Sequence, residues 1–269
     1  MNAPARAKNA TGPEAYWDSV ADEQSELGTS ALWRRHSDAV NAGLLERWLP
    51  RRCGPALKTD LFDEAKGQGL LSLIGLRSSH VVGVDVSETT VQVARARHPD
   101  LDAVRADVRL LPFEDHSFDL VVSNSTLDHF GTRSGISLAI RELHRVLDPR
   151  GLLIVTLDNR ANPVVALRNA LPQSLLRRIG LVPYYVGPTY GPRGLRKALE
   201  RQGFRVREMT AVLHCPRALS VRRAERLGRE GSPQSQRDFL RRTGRFERLE
   251  RLPTRFLSGY FVAALAEPL

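Results

Sequence analysis

Residues 61–69 read Leu-Phe-Asp-Glu-Ala-Lys-Gly-Gln-Gly, and residues 81–85 read Val-Val-Gly-Val-Asp. Gly67 and Gly69 have no side chain, so the backbone there can turn sharply out of a strand and approach a ligand closely. The second stretch is an apolar strand that would bring Asp85 to the same edge of the sheet, where a carboxylate can accept hydrogen bonds from a ribose. The spacing fits one helix and one strand. Together the two stretches predict a βαβ site for an adenosine-bearing cofactor.

Two cofactor classes fit that site: a nicotinamide or flavin dinucleotide, and S-adenosylmethionine. Residues 106–113 read Ala-Asp-Val-Arg-Leu-Leu-Pro-Phe, and residues 118–124 read Phe-Asp-Leu-Val-Val-Ser-Asn. With these segments the chain resembles the class I S-adenosylmethionine-dependent methyltransferases, in the type 11 group that is similar to quinone-biosynthesis and small-molecule methyltransferases. The resemblance covers roughly residues 56 to 157.

The resemblance implies a pocket for S-adenosyl-L-methionine at the carboxyl edge of the sheet. Asp85 would hold the ribose, with Val86 next to it, while Asp107 would face the adenine amino group and Val108 would back the ring. The family usually has glycine where this chain has Ala65, whose methyl group would lie in the path of the methionine. The other residues implied by the resemblance form the methionine-binding turn or border the sulfonium and the substrate: Asp63, Ala65, Gly67, Gly69, Asn124 and Ser125.

The order of apolar segments predicts an α/β fold, a Rossmann-like doubly wound sheet with a C-terminal antiparallel strand pair and helical insertions. Such a strand pair is typical of the methyltransferase fold and generally absent from dinucleotide dehydrogenases. Helices are expected over 136–147 and 192–202. The predicted strands are Leu61–Asp63, Val81–Asp85, Asp102–Arg105, Leu120–Asn124, Leu152–Leu157, Phe204–His214 and Phe256–Leu265.

The chain is expected to form a single domain over residues 13–269, after a flexible tail of residues 1–12. A helical cap over 13–50 would either cover the cofactor or pack its aromatic residues on the sheet. An apolar, proline-interrupted insert over 162–190 suits a substrate lid or a membrane-facing helix, with Arg168, Arg177 and Arg178 available for anionic headgroups. An Arg-rich helical insert is expected over 216–251.

Methyl transfer from a sulfonium mainly requires positioning of the acceptor and exclusion of water. If the acceptor must lose a proton, His129 is the candidate base, because it follows the fourth strand and a neutral imidazole can accept a proton from a hydroxyl. Asp128 could orient His129 or act itself. A purely structural role for His129 stays open, and Tyr184, Tyr185 and Tyr190 are read as acceptor-pocket or packing residues.

Composition restricts the partners. The formal net charge is +10, but only four of the 40 basic residues are lysine, a bias that coding composition produces, and there is no pattern of stacking aromatic residues with basic ones. Nucleic acid is therefore not the expected partner, and peripheral membrane contact stays open. Two unpaired cysteines predict neither disulfide nor metal site. The absence of a signal-peptide pattern predicts a cytoplasmic protein.

The sequence thus predicts an S-adenosylmethionine-dependent methyltransferase that acts on a small or lipophilic acceptor, with oxygen as the expected acceptor atom. Three alternatives remain: an RNA or protein methyltransferase, a non-catalytic cofactor-binding protein with a degenerate glycine motif, and a nicotinamide dehydrogenase.

Overall fold

The computed structural model describes residues 15–20, 31–171, 176 and 185–269. Its strands are β1 (Cys53–Thr59), β2 (Ser78–Asp85), β3 (Asp102–Arg105), β4 (Phe118–Asn124), β5 (Leu147–Asp158), β6 (Phe204–Val212) and β7 (Phe261–Pro268). They form one sheet in the order β3-β2-β1-β4-β5-β7-β6. Neighbours among β1 to β5 are parallel, and β7 runs antiparallel between β5 and β6. The predicted doubly wound sheet with its C-terminal antiparallel pair is confirmed.

Helices cover both faces of this sheet. They are α1 (Ala31–Trp48), α2 (Phe62–Lys66), α3 (Leu71–Gly75), α4 (Glu88–Arg97), α5 (Arg133–Val146), α6 (Pro163–Ala170), α7 (Pro192–Glu200), α8 (Arg217–Glu230), α9 (Pro233–Gly244) and α10 (Arg255–Ser258), and residues 15–20 are also helical. One core cluster joins α5 and α7 to the sheet, and a second joins α1, α3 and α4 to it. Burial on both faces explains the continuous apolar runs of the central strands.

The predicted position of the first strand is wrong. The strand is Cys53–Thr59, and Phe62 and Asp63 of the predicted strand Leu61–Asp63 lie in the helix Phe62–Lys66. Ala56, Leu57, Lys58 and Thr59 are all buried in this strand. A lysine inside a buried strand is rare because its charge must be compensated, and Lys58 finds its partner only six residues later, in Glu64.

Smaller differences concern element ends. β5 begins at Leu147, whereas the sequence predicts a helix up to residue 147 and a strand only from Leu152. Phe256 belongs to α10 rather than to the last strand. The amide of Gly259 donates to the carbonyl of Arg255 and closes that helical turn before β7 begins.

The N-terminal and Arg-rich segments pack together beside the sheet. Leu32 and Trp33 of α1 share a third core cluster with Ala224 of α8 and Phe239 of α9. A 3-10 helix, Arg245–Arg251, follows α9. The tail 1–12 and the central part of the insert, with Arg177, Arg178 and Tyr184, lie outside the described residues. No helix within the described ranges has the length and apolar character needed to cross a membrane.

Candidate active site

The carboxyl ends of β1, β2, β3 and β4 meet along one edge of the sheet, where ligands of open α/β sheets usually bind. The residues that leave these strands are Asp60 after β1, Asp85 at the end of β2, Asp107 shortly after β3, and Asn124 at the end of β4. Three of the four are acidic. The edge therefore provides carboxylates for hydroxyl, amino or cationic groups of a ligand.

Asp85 lies where the sequence predicts it, next to the turn that follows β1. Its Oδ2 accepts a hydrogen bond from the amide of Leu61 at 2.9 Å, and its Oδ1 accepts one from the amide of Ser87 at 2.9 Å. Desolvation raises the pKa of Asp85, although these two hydrogen bonds oppose the shift. The carboxylate is thus fixed in place by the backbone on both sides.

Asp60 is a site residue that the sequence analysis missed. It adopts a left-handed backbone conformation with φ of 70°, and its Oδ1 accepts a hydrogen bond from the amide of Phe62 at 2.8 Å. Desolvation and the neighbouring Asp85 carboxylate raise its pKa to about 7, while the Lys58 ammonium opposes the shift. An acid that directly follows a buried run, as Asp85 follows β2, is the sequence signal that could have identified it.

A buried ion pair supports the turn that follows β1. Lys58 Nζ lies 2.7 Å from Glu64 Oε2, and both side chains are excluded from solvent. The same Nζ donates to the backbone carbonyl of Asp60. Glu64 Oε1 accepts a hydrogen bond from the amide of Leu70 at 2.9 Å. The pair therefore connects the end of β1, α2 and the start of α3.

The predicted glycine turn does not lead out of the first strand. Asp63 and Ala65 lie within α2, and Gly67 has an extended backbone with φ of −166°. Gly69 has φ of +52°, and a Cβ at this position would lie 2.1 Å from Glu64 Oε1. Gly69 thus provides space for the Glu64 carboxylate. The contact of these four residues with a cofactor stays a prediction.

Asp107 and Val108 follow β3 near Asp85, whose carbonyl accepts the amide hydrogen of Ala106 at 2.9 Å. The Asp107 carboxylate accepts hydrogen bonds from the amide of Arg109 at 2.8 Å and from its Nε at 3.0 Å. Desolvation favours the protonated form, but these hydrogen bonds prevail and lower the pKa of Asp107. Val108 is buried. An ionised acid and an apolar side chain thus lie side by side.

At the end of β4, polar groups are tied to the neighbouring strands. Asn124 Oδ1 accepts a hydrogen bond from Thr156 Oγ1 at 2.8 Å, and the amide of Ser125 donates to the Thr156 carbonyl at 3.0 Å. Ser125 has φ of 54°. Thr59 Oγ1 lies 2.8 Å from Thr126 Oγ1. These contacts fix the loop that leads to His129.

His129 lies at the end of a 3-10 turn, Leu127–His129, beside this edge. Its Nδ1 is 3.1 Å from the carbonyl oxygen of Tyr185, so Nδ1 carries the donated proton, and its ring meets Trp17 edge-on at 4.9 Å. Asp128 Oδ2 instead accepts a hydrogen bond from the amide of Asp158 at 3.0 Å. Ser125 Oγ also donates to Asp128 Oδ2, at 3.3 Å, so the Asp128 carboxylate holds both the backbone of β5 and the loop after β4.

The helical residues 15–20 lie over the edge. Asp18 Oδ1 accepts a hydrogen bond from Ser87 Oγ at 2.7 Å, just after β2. Tyr16 Oη accepts one from the amide of Tyr185 at 2.7 Å. This segment therefore links the β2 end of the edge to the insert. Asp18 was not among the residues that the sequence pointed to, since nothing local marks a partner 69 positions away.

Arg168 does not serve as a surface residue for anionic headgroups, contrary to the prediction. It is buried, and its Nη2 lies 2.5 Å from Asp158 Oδ2, while its Nη1 donates to Tyr260 Oη at 2.8 Å. The Asp158 carboxylate and the Tyr260 hydroxyl are thus two buried acceptors for the guanidinium, and the ion pair holds α6 against the end of β5. No group of three or more His, Cys, Asp or Glu side chains in the described part of the chain is arranged to bind a metal.

Residues 63–155 match the family model of a methyltransferase domain. A Mycolicibacterium smegmatis protein named "Probable S-adenosylmethionine-dependent methyltransferase" is 28% identical over 70% of this chain and 65% of its own length. Demethylmenaquinone methyltransferase of Paenarthrobacter aurescens is 33% identical over 60% of this chain and 57% of its own. The chain spans about half to two thirds of the length of the curated relatives it matches.

Among solved structures, a SAM-dependent methyltransferase from Thermotoga maritima superposes with a TM-score of 0.59 at 15% identity. The superposition covers 94% of this chain and 100% of that one. At this identity the likeness concerns the fold.

Proposed function

We propose that this chain, whose residues 63–155 match the family model of a methyltransferase domain, binds S-adenosylmethionine at the carboxyl edge of its sheet and transfers the methyl group to a small or lipophilic acceptor. The observation that carries the proposal is the row of carboxylates at this edge, Asp60, Asp85 and Asp107, beneath the helical residues 15–20. The family likeness of the domain supports the same assignment.

The donor set fits the cofactor. S-adenosylmethionine has two ribose hydroxyls, an adenine amino group and two cationic centres, and it supplies an already activated methyl group. Asp85 would accept the ribose hydroxyls and Asp107 the adenine amino group, with Val108 against the ring. Asp60 adds a carboxylate for a cationic centre. Val86, Asn124 and Ser125 complete the proposed contacts, together with Asp63, Ala65, Gly67 and Gly69 if the cofactor extends over α2.

The acceptor would lie beyond the end of β4, between residues 15–20 and the insert. Trp17 there packs its aromatic ring edge-on against the His129 imidazole. Because the Tyr185 carbonyl holds Nδ1 in its protonated form, Nε2 is the nitrogen that can accept a proton from an acceptor hydroxyl. This tautomer supports transfer to oxygen with His129 as the base. The name of the Paenarthrobacter relative makes quinols the first acceptors to test.

The domain organisation is part of the proposal. Residues 13–269 would act as one unit in which the N-terminal cap, 13–50, covers the cofactor and the insert, 162–190, covers the acceptor. The contacts of Tyr16 and Asp18 support the first of these roles. The Arg168–Asp158 ion pair supports the second, because it anchors the described start of the insert beside β5.

Calorimetry with S-adenosylmethionine and release of S-adenosylhomocysteine across quinols, phenols, sugars and carboxylic acids test the proposal. Asp85→Ala should weaken cofactor binding by about 1–3 kcal/mol through its lost hydrogen bonds. Asp102→Ala is the matched control, because Asp102 starts β3 at the opposite edge and is 70% exposed. Unchanged affinity in Asp85→Ala would refute the site.

A non-catalytic cofactor-binding protein is the second candidate, and the charged turn after β1 favours it over the remaining alternatives. Cofactor binding without S-adenosylhomocysteine release for any acceptor would support it. Salt-dependent retention on RNA, together with methylation of that RNA, would instead favour an RNA methyltransferase.

A further inference from the structure

The turn after β1 is built around charges rather than around glycine. Asp60, which is not a glycine, holds a left-handed conformation that L-residues seldom adopt. Lys58 Nζ donates to the carbonyl of this same residue, and the Asp60 amide donates to the Val84 carbonyl at 2.8 Å. The backbone of Asp60 is therefore held on both sides, by a buried ammonium and by β2.

Glu64 holds the ammonium in turn. Its Oε2 pairs with Lys58 Nζ at 2.7 Å and its Oε1 accepts the amide hydrogen of Leu70 at 2.9 Å, so both carboxylate oxygens are satisfied. Gly69 is required next to it, since a Cβ there would lie 2.1 Å from Oε1. Three positions, Lys58, Glu64 and Gly69, thus form one interlocked unit.

Stability alone is a weak reason for such a unit. Burying two charges costs desolvation free energy, and replacing a buried ion pair with neutral residues of similar volume is often neutral or stabilising. The hydrogen bond from Lys58 to Asp60 offers a different reason, because it acts on the residue whose carboxylate lies beside Asp85. Two carboxylates in this proximity repel each other, and the turn must be fixed to hold them together.

We propose that Lys58 and Glu64 are positioning residues, which hold Asp60 beside Asp85 so that the two carboxylates receive the cofactor, and that Gly69 serves to admit the Glu64 carboxylate. This inference rests on the proposed function, since the cofactor is S-adenosylmethionine. It adds that the pair performs the task of a glycine turn in this chain. It also assigns Gly69 a role that does not depend on contact with the ligand.

The neutral double variant Lys58→Met/Glu64→Gln tests this role. The glutamine carbonyl can still accept the amide hydrogen of Leu70, so the variant removes both charges without leaving that amide unsatisfied. We expect its melting temperature to remain within a few degrees of the parent, while its affinity for S-adenosylmethionine, measured by calorimetry, falls at least tenfold. Parent-like affinity in the folded double variant would overturn the inference.

A second variant keeps the test decisive if the double variant fails to fold. Gly69→Ala places a methyl group against Glu64, and Gly203→Ala is its control, because Gly203 also has a positive φ, +87°, but lies before β6. Both should lower the melting temperature, and only Gly69→Ala should lower cofactor affinity, again at least tenfold. Equal affinities in the two glycine variants would contradict the proposed role. Failure of the parent protein to bind S-adenosylmethionine would instead reject the proposed function.

Discussion

Two buried ion pairs lie at the carboxyl ends of strands in this sheet, Lys58–Glu64 and Arg168–Asp158. They connect different parts of the molecule. The first, at 2.7 Å, lies within the turn that follows β1. The second, at 2.5 Å, ties helix α6 of the insert to the end of β5, and Tyr260 at the start of β7 shares its guanidinium. One pair shapes the cofactor side of the edge, and the other anchors the segment proposed to cover the acceptor.

The difference teaches how a charge pair can be used in a protein core. A pair inside a turn fixes a backbone conformation, whereas a pair between elements fixes their relative position. Loss of the first should therefore appear in cofactor binding and loss of the second in turnover of the acceptor. The following predictions test the two sides of this comparison through stability, turnover and cofactor affinity.

The largest effect is expected from Lys58→Met, which leaves the Glu64 carboxylate buried without its cation. Breaking a buried pair in this way should lower the free energy of unfolding by about 3–5 kcal/mol. Chemical denaturation of the variant measures it. The exposed Lys197→Met on α7 is the control, and a change there should stay within about 0.5 kcal/mol. If the two variants unfold alike, Lys58 is not the cation that compensates Glu64.

On the acceptor side, His129→Gln should lower turnover by about 100-fold if His129 is the base, since general-base catalysis typically contributes at least that much. Affinity for S-adenosylmethionine should not change, because the proposed contact is with the acceptor. Initial rates and calorimetry on the same preparation measure both. His144→Gln on α5, where the ring packs on Phe204, is the control. Full turnover in His129→Gln would leave His129 a structural residue.

Arg168→Met should lower the free energy of unfolding by about 2 kcal/mol at pH 8, less than Lys58→Met, because protonation of Asp158 limits the cost of the missing cation. Desolvation and the nearby Asp128 raise the pKa of Asp158 to about 6 even beside the guanidinium, so at pH 5 this carboxyl can take a proton instead of remaining as a buried charge. The stability loss should therefore be smaller at pH 5 than at pH 8. Denaturation at the two pH values measures it, with the exposed Arg196→Met as control. Equal losses of unfolding free energy at both pH values would show that protonation of Asp158 does not limit the cost of removing Arg168.

The sequence predicts those site residues at the carboxyl edge that a local pattern marks. Asp85, Asp107 and Asn124 each follow an apolar strand, and the structure places all three at the carboxyl edge. The sequence prediction misplaced the first strand because Lys58 looks incompatible with a buried strand until its partner Glu64 is known. The glycines led to the same misplacement of the first strand, because a sequence does not distinguish a glycine that makes room for a ligand from one that makes room for a carboxylate. Asp18 and Tyr16 depend on partners far along the chain, which no local pattern reveals.

The smallest effect is expected in the pH dependence of affinity for S-adenosylmethionine. Desolvation and Asp85 raise the pKa of Asp60 to about 7. Ionised Asp60 attracts a cationic cofactor and the protonated form does not, so affinity for S-adenosylmethionine should rise by up to about tenfold from pH 6 to pH 8. Asp60→Asn should remove most of this rise. Asp102→Asn is the control, because Asp102 starts β3 at the opposite edge of the sheet and its side chain is 70% exposed.

The free protein should show the opposite trend. The raised pKa means that folded Asp60 keeps its proton up to about pH 7, whereas the unfolded chain releases it near pH 4, so this group's contribution to the free energy of unfolding is full at low pH and declines between about pH 4 and pH 7. Stability gained from the cofactor should then be larger at pH 8 than at pH 6. A thermal-shift series with and without S-adenosylmethionine measures both trends. A cofactor-induced shift that is independent of pH in the parent protein would show that Asp60 does not sense the cofactor's charge.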